Sequence, residues 1–337
     1  FCFAVAGTHG KTTTSSILGH VLYESGIDVT AFLGGIVEGY NTNLIGSGKT
    51  VTVVEADEFD RSFLHLHPNL SCVTSMDADH LDIYGDVAAI EESFREFAHK
   101  VPAENLFIIK GLPLEGNTIA VNVGADYVAQ NIRIENGFYV FDVKTKDEII
   151  ENVKFGLPGH HNLTNALLAF AMAKSYGVDV EKIKNALATF KGVRRRFSFQ
   201  IREEKLVYID DYAHHPTEIN AVHQAVRELY PNKKIIACFQ PHLFSRTKDF
   251  IDGFAESLSQ FDEILLLEIY PARELPMEGV NSSWLLSKIK NKNKRLVTKE
   301  ELLTSFKNSD ANVFVTIGAG DIGEMVKDVK KVLNEKI

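Results

Sequence analysis

Residues 1–14 read Phe-Cys-Phe-Ala-Val-Ala-Gly-Thr-His-Gly-Lys-Thr-Thr-Thr, and the reading of this stretch decides the fold. A short apolar run ends in a turn punctuated by Gly7 and Gly10, and a helical pattern follows from Lys11. This order predicts a strand, a phosphate-cradling loop and a helix. Backbone N–H groups of such a loop and the helix N-terminus attract a phosphate, Lys11 adds a positive charge, and a threonine hydroxyl can hold Mg²⁺. The loop is shorter than the general form of this motif, because Val5 stands where the first glycine belongs. The chain is expected to bind a nucleoside triphosphate.

Outward from this loop, the chain has 337 residues, which predicts two domains. An apolar content of 45% with 24% charged residues fits a globular protein with a sizeable core. The net charge of −9 argues against a nucleic-acid partner. Cys2, Cys72 and Cys238 are odd in number and lie in apolar runs, as expected of reduced thiols in a cytoplasmic protein. No apolar run approaches the ~18 residues of a membrane span, so no membrane association is expected. Phe1 already stands inside the first strand, and a further segment is expected to precede it.

Periodicity predicts an α/β chain. Strands are expected at 1–6, 51–56, 70–75, 106–109 and 118–121, with helices at 11–25, 88–98, 162–176 and 180–190. Residues 127–154 alternate like a small antiparallel meander. Beyond the Gly192 break, a second alternation begins: strands at 198–210, 234–239, 263–268 and 312–317, and helices at 216–229, 247–259, 282–290 and 322–335. The fold class is thus α/β: a nucleotide-binding domain of the P-loop type with a mostly parallel sheet (1–193), then a Rossmann-like α/β domain (194–337). The basic run 288–295 is expected to be a solvated helix end.

Ligands of open α/β sheets gather at the carboxyl ends of strands, and several polar clusters fall there. Glu55, in Glu-Ala-Asp-Glu, is the candidate Mg²⁺ partner of Thr12. His80, in Asp-Ala-Asp-His-Leu-Asp, is a candidate for a second Mg²⁺ or for a phosphate, although Mg²⁺ prefers oxygen. Asn162 and Asn165 share a helix face and suit an adenine edge, while Asn162 also suits a helix cap. A guanidinium of the run Arg194-Arg195-Arg196 suits a γ-phosphate. Asp210 or Asp211 suits a ribose hydroxyl. His214 and His215 suit a substrate, and Arg246 a carboxylate. Gly318-Ala-Gly-Asp-Ile-Gly323 matches a dinucleotide fingerprint. Only 14 residues follow Gly323, too few for the strand and acidic residue that complete such a site, so NAD binding is not expected.

In this order the motifs resemble the Mur ligase family over nearly the whole chain. The resemblance rests on Gly-Thr-His-Gly-Lys-Thr-Thr-Thr (7–14), Glu-Ala-Asp-Glu (55–58) with Ser62-Phe63-Leu64, Asp-Ala-Asp-His-Leu-Asp (77–82), Arg-Arg-Phe (195–197), Asp-Asp-Tyr-Ala-His-His-Pro-Thr-Glu (210–218), Phe-Gln-Pro-His (239–242), Ala-Arg-Glu (272–274) and Gly-Ala-Gly-Asp-Ile (318–322). It implies ATP-dependent amide formation through an acyl phosphate in peptidoglycan precursor synthesis. The branch it points to takes UDP-N-acetylmuramate and L-alanine. It places Gly7, Thr8, His9, Gly10, Lys11, Thr12 and Thr13 around the phosphates, with Lys11 on the β- and γ-phosphates.

By the same resemblance, Thr12, Glu55 and His80 hold Mg²⁺, Asn162 and Asn165 lie by adenine, Arg196 by the phosphates, and Asp210 or Asp211 by the ribose. His214, His242 and Arg246 face the muramyl and alanine ends. Leu243 replaces a frequent arginine, which leaves Arg246 as the amino-acid clamp. The 88–98 helix lacks the lysine that several family members carry there, as does the alanine-adding branch. The family also has an N-terminal UDP-binding domain, and without it this chain is expected to bind ATP but to ligate poorly or not at all. A murein tripeptide ligase, or a hydrolase or kinase that makes no amide, are the alternatives.

Overall fold

The computed structural model describes residues 1–77, 84, 86–135 and 137–337. The chain divides into two compact units, Phe1–Arg194 and Arg195–Ile337.

Among the described residues, the first unit has a sheet of ten strands. Their ranges are β1 Cys2–Ala6, β2 Val29–Val37, β3 Thr42–Ile45, β4 Val51–Glu55, β5 Leu70–Val73, β6 Leu106–Ile109, β7 Asn117–Val121, β8 Tyr127–Glu135, β9 Phe138–Lys144 and β10 Ile149–Phe155. They run in the order β10-β9-β8-β7-β6-β5-β1-β4-β2-β3. From β2 to β8 every pairing is parallel, and β3, β9 and β10 add antiparallel edges. The expected meander is therefore an extension of the main sheet. The hairpin β2–β3 was not expected.

Strand β1 shows why the sheet is central. Phe3 and Val5 pack to one face with the helices Lys11–Glu24, His160–Tyr176 and Val180–Thr189. Ala4 and Ala6 pack to the other, with Phe63, Phe94 and Phe97. Both faces are covered, so the parallel strands read as continuous apolar runs. The helix Lys11–Glu24 is buried from Thr12 to Leu22, which explains its weak amphipathic pattern. It approaches the sheet closely: a Cβ on Gly19 would lie 2.6 Å from that of Ala31.

The second unit has six strands among its described residues: β11 Ser198–Arg202, β12 Val207–Asp211, β13 Ile235–Phe239, β14 Glu263–Leu266, β15 Lys294–Leu296 and β16 Val313–Ile317. Their order is β11-β12-β16-β13-β14-β15, parallel except for the hairpin β11–β12. The single strand expected at 198–210 is that hairpin. Its turn, Glu203 N–H to the Leu206 carbonyl at 3.0 Å, uses no glycine or proline that would mark it.

The helix expected at 247–259 breaks into Phe244–Asp249 and Ile251–Leu258, and the one at 322–335 begins as a 3₁₀ turn, Asp321–Met325, before Val326–Asn334. The basic run is not one helix end. Its helix stops at Lys288, and edge strand β15 starts at Lys294. The helix Lys299–Asn308 was also missed, although Thr298 and Glu301 form a reciprocal capping box at its start.

Phe63 is the anchor of the turn Phe59–His65, stacking on Phe97 at 5.0 Å and meeting Phe94 edge-on at 5.5 Å. Phe63→Ala is expected to destabilise the first unit by about 3–5 kcal/mol in urea unfolding. The same truncation at Phe32, which is 54% exposed, is expected to change stability by no more than about 0.5 kcal/mol.

Candidate functional site

The phosphate loop is built by the carboxyl ends of three adjacent strands. After β1 the chain turns at Gly7 (φ 134°) and Gly10 (φ 85°), and Gly10 stands at the N-terminus of the helix Lys11–Glu24 without a side-chain cap. Both glycines are required by space as well as by φ. A Cβ on Gly7 would lie 2.0 Å from Thr74 Oγ1, and one on Gly10 would lie 2.7 Å from Asn165 Oδ1. The segment after β5 straps the loop down. Thr8 N–H donates to the Ser75 carbonyl (3.3 Å), His9 N–H to Ser75 Oγ (2.7 Å), Thr8 Oγ1 to the Asp77 carbonyl (2.8 Å), and Thr74 Oγ1 to the His9 carbonyl.

The carboxyl end of β4 and the segment after it supply the carboxylates. Glu55 Oε1 accepts from Thr12 Oγ1 at 2.8 Å, and Glu55 Oε2 accepts from Gly34 N–H at 2.7 Å. The hydroxyl and carboxylate expected to share a metal ion therefore already stand together. Both are oxygen donors, as a hard divalent cation requires. Lys11 Nζ donates to the Gly7 carbonyl (2.8 Å) and to Glu58 Oε2 (2.6 Å). Glu58 lay inside a motif quoted from the sequence, yet nothing there set it apart from Glu55. His80 lies outside the described residues.

Asn165 packs against Gly10, while the Asn162 amide donates to the Pro158 carbonyl at 2.7 Å. The helix begins at His160 behind Gly159, so Asn162 is not its cap. Both asparagines are buried beside the loop. No helix among the described residues is long and apolar enough to cross a membrane.

In the second unit, Asp210 and Asp211 end β12. Asp210 is fully buried. It accepts from Arg195 Nε (3.1 Å) and from Thr316 Oγ1 (2.7 Å), and Thr316 in turn meets Tyr208 Oη (3.0 Å). Asp211 accepts from the backbone N–H groups of Phe197 and Ala213, both at 2.7 Å. Burial raises both carboxyl pKa values, that of Asp211 to about 7, against the lowering effect of Arg195 and Arg196 respectively. Each carboxylate is turned inward and engaged within the unit. Their position makes them supports for the Arg195–Phe197 turn, in which Arg195 (φ 60°) and Phe197 (φ 49°) adopt left-handed conformations.

Arg196 crosses the Tyr212 ring at 5.3 Å and lies 3.8 Å from Glu218. Glu218 also accepts from His214 N–H (2.8 Å) and His215 N–H (3.3 Å), which fixes the start of the helix Pro216–Leu229. The His214 ring lies 6.2 Å from that of His242, and His242 Nδ1 is 3.3 Å from Arg246 Nη1. His214, His242 and Arg246 are thus gathered at one sheet edge, with Tyr270 stacked on His242 at 5.8 Å. Glu274, given no role in the sequence assignments, accepts from Ser245 N–H at 3.0 Å and holds the start of the short helix Phe244–Asp249 that carries Arg246.

The glycines of 318–323 serve packing. A Cβ on Gly320 would lie 2.4 Å from Gln240 Oε1, and one on Gly323 would lie 2.4 Å from the Arg195 guanidinium carbon. Gln240 ties this turn by donating to Asp321 (2.7 Å) and accepting from Ile322 N–H (2.9 Å).

A parallel α/β unit with a strapped phosphate loop, followed by a Rossmann-like unit with a basic, histidine-rich sheet edge, defines a nucleotide-dependent enzyme of two domains. The Mur ligase middle domain matches residues 5–173, and the Mur ligase, glutamate ligase domain matches residues 195–325. The chain belongs to the Mur ligase family. It is 75% identical over 337 residues to the UDP-N-acetylmuramate–L-alanine ligase of Flavobacterium psychrophilum, covering 100% of this chain and 75% of that protein. The crystal structure of the UDP-N-acetylmuramate-alanine ligase from Thermotoga maritima matches with a TM-score of 0.82 at 28% identity, covering 100% of this chain and 76% of that one. A murein peptide ligase from Psychrobacter arcticus shares the fold, with a TM-score of 0.70 at 23% identity over 100% of this chain and 78% of its own.

Burial, together with the positive charges of Arg246, His214 and Arg273, lowers the His242 pKa from 6.5 to about 4. Between those values the unfolded chain binds more protons than the folded one, so this contribution to stability is full above about 6.5 and is lost as pH falls through about 4. Asp211, whose pKa burial raises to about 7, contributes in the opposite sense over the same range, so the His242 contribution is read as a difference. The gap in urea midpoint between the wild type and His242→Gln is expected to shift against the wild type between pH 7 and pH 4.5.

Proposed function

We propose that the chain carries out the ATP-dependent joining of L-alanine to the carboxylate of UDP-N-acetylmuramate. The observation that carries this reading is 75% identity to the Flavobacterium psychrophilum enzyme across every residue of this chain. The murein peptide ligase alternative is supported by likeness of fold alone.

The residues suit the parts of such a reaction. The Gly7–Gly10 turn and the first N–H groups of the Lys11–Glu24 helix face anionic oxygens, and Lys11 adds charge beside them. Thr12 and Glu55 would hold Mg²⁺, with His80 assigned to it by resemblance. The ion, when bound, neutralises phosphate charge. By the same resemblance Asn162 and Asn165 are assigned to the adenine and Arg196 to the phosphates. The substrate carboxylate attacks the γ-phosphate and ADP leaves. The amine of L-alanine then attacks the resulting acyl phosphate, and inorganic phosphate departs. His214, His242 and Arg246 orient the two organic substrates, with Arg246 holding the amino-acid carboxylate. What the protein contributes is chiefly positioning and charge neutralisation.

The test is phosphate release by the chain in its full reading frame, with Mg-ATP, UDP-N-acetylmuramate and one acceptor at a time. L-alanine is expected to support release, whereas the murein tripeptide is not. Release without any acceptor would sink the ligase reading. Lys11→Ala is expected to lower the rate by about 10²-fold or more. Glu55→Gln is expected to raise the Mg²⁺ concentration needed for half-maximal rate.

A further inference from the structure

Glu58 stands in the phosphate loop's immediate surroundings and has no part in the reaction as described above. Its side chain is 3% accessible, and its partner Lys11 is 12% accessible. A lysine ammonium carries three donors on a flexible stem. Among the described residues, Lys11 gives one to Glu58 Oε2 at 2.6 Å and one to the Gly7 carbonyl at 2.8 Å. The third is left for an incoming phosphate. Asp57, 3.9 Å from the ammonium and 60% accessible, is a far weaker partner.

Glu58 is itself held firmly. Its backbone carbonyl accepts from Tyr84 Oη at 2.5 Å. The turn that follows passes through Asp60 (φ 49°) and Arg61 (φ 63°), two consecutive non-glycine residues in the left-handed region. Such a conformation costs free energy and persists only where its surroundings impose it. Here Phe63, packed on Phe94 and Phe97, ties the turn into the core. The carboxylate position is therefore set by the fold.

We propose that Glu58 is a positioning residue that fixes the Lys11 ammonium, so that its remaining N–H meets the terminal phosphate during transfer. This rests on the triphosphate reading of the loop. A carboxylate beside a phosphate cradle also repels the bound nucleotide, which offsets what the fixed ammonium adds to ground-state binding and leaves the gain from Glu58 in the rate. Removing it lowers kcat while leaving the KM for ATP equal or lower. A residue that merely held the loop together would move both in the unfavourable direction.

The experiment compares Glu58→Ala, Glu58→Gln and Lys11→Ala in the full reading frame. It measures kcat and KM for ATP by phosphate release, and binding of a fluorescent non-hydrolysable ATP analogue. Glu58→Ala is expected to lower kcat by about 10- to 100-fold, the scale set by misplacing a reacting group by about 1 Å. Its binding of the analogue is expected to be at least as tight as that of the wild type. Glu58→Gln keeps an acceptor for Lys11 and is expected to recover part of the rate. An unchanged kcat in Glu58→Ala overturns the proposal, as does loss of analogue binding in step with rate. If Glu58→Ala does not fold, the split between kcat and KM in Glu58→Gln decides by the same criteria. Unimpaired analogue binding by Lys11→Ala would instead overturn the triphosphate reading of the loop.

Discussion

The helix Lys11–Glu24 begins with a left-handed glycine and a run of buried hydroxyls, Thr12 to Ser16, and the first unit is organised around that fact. A helix N-terminus carries unpaired N–H groups and a partial positive charge. In solvent, water would satisfy them. Here the surrounding strand ends present polar groups around this end, which engage the loop, the Thr12 hydroxyl and the Lys11 ammonium. The segment after β5 straps the loop with Thr74, Ser75 and Asp77, and the carboxyl end of β4 and the segment after it supply Glu55 and Glu58. All three segments leave parallel neighbours at the same sheet edge, because β1 pairs with β4 on one side and β5 on the other.

The second unit has its own ion pair, between the buried Asp210 and the partly exposed Arg195. Arg195 crosses from the start of the unit to Asp210 and to the Gly318 carbonyl (2.6 Å), and stacks over Tyr212 at 5.2 Å. A buried charge pair is tolerated when its remaining hydrogen-bond capacity is met, and Thr316 meets that of Asp210. Space for the guanidinium comes from Gly323, and space for the neighbouring Gln240 from Gly318 and Gly320. A pattern that reads as a nucleotide fingerprint is thus explained by side chains of the same unit.

The phosphate loop and the alternation of strands and helices were legible because each is written locally, in Gly7–Thr14 and in apolar runs of strand length. What stayed hidden needs neighbours distant in sequence. Glu55 was read from the sequence, but Glu58, three residues on in the same acidic stretch, is sent to Lys11, and Gly34 to Glu55, only by the pairing of β4 with β1 and β2. Asp210 and Asp211 look like exposed site residues, since aspartates are seldom buried, and only the Arg195 turn shows them engaged. The β2–β3 and β11–β12 hairpins were missed because register shifts interrupt their pairing and blur the two-residue alternation.

The electrostatics of the second unit's sheet edge follow from the same geometry. His242 is surrounded by Arg246, His214 and Arg273, and only Glu274 opposes them in its titration. Its ring is held neutral at pH 7, so it offers one acceptor and one donor nitrogen and adds no further positive charge to the cluster. Arg246 is 7% exposed, so its charge sits where water solvates it poorly. A charge-assisted hydrogen bond to such a largely desolvated guanidinium is stronger than in water. Charge complementarity at this edge is therefore stored in the fold as a partly buried cation, held in place by Glu274 through Ser245.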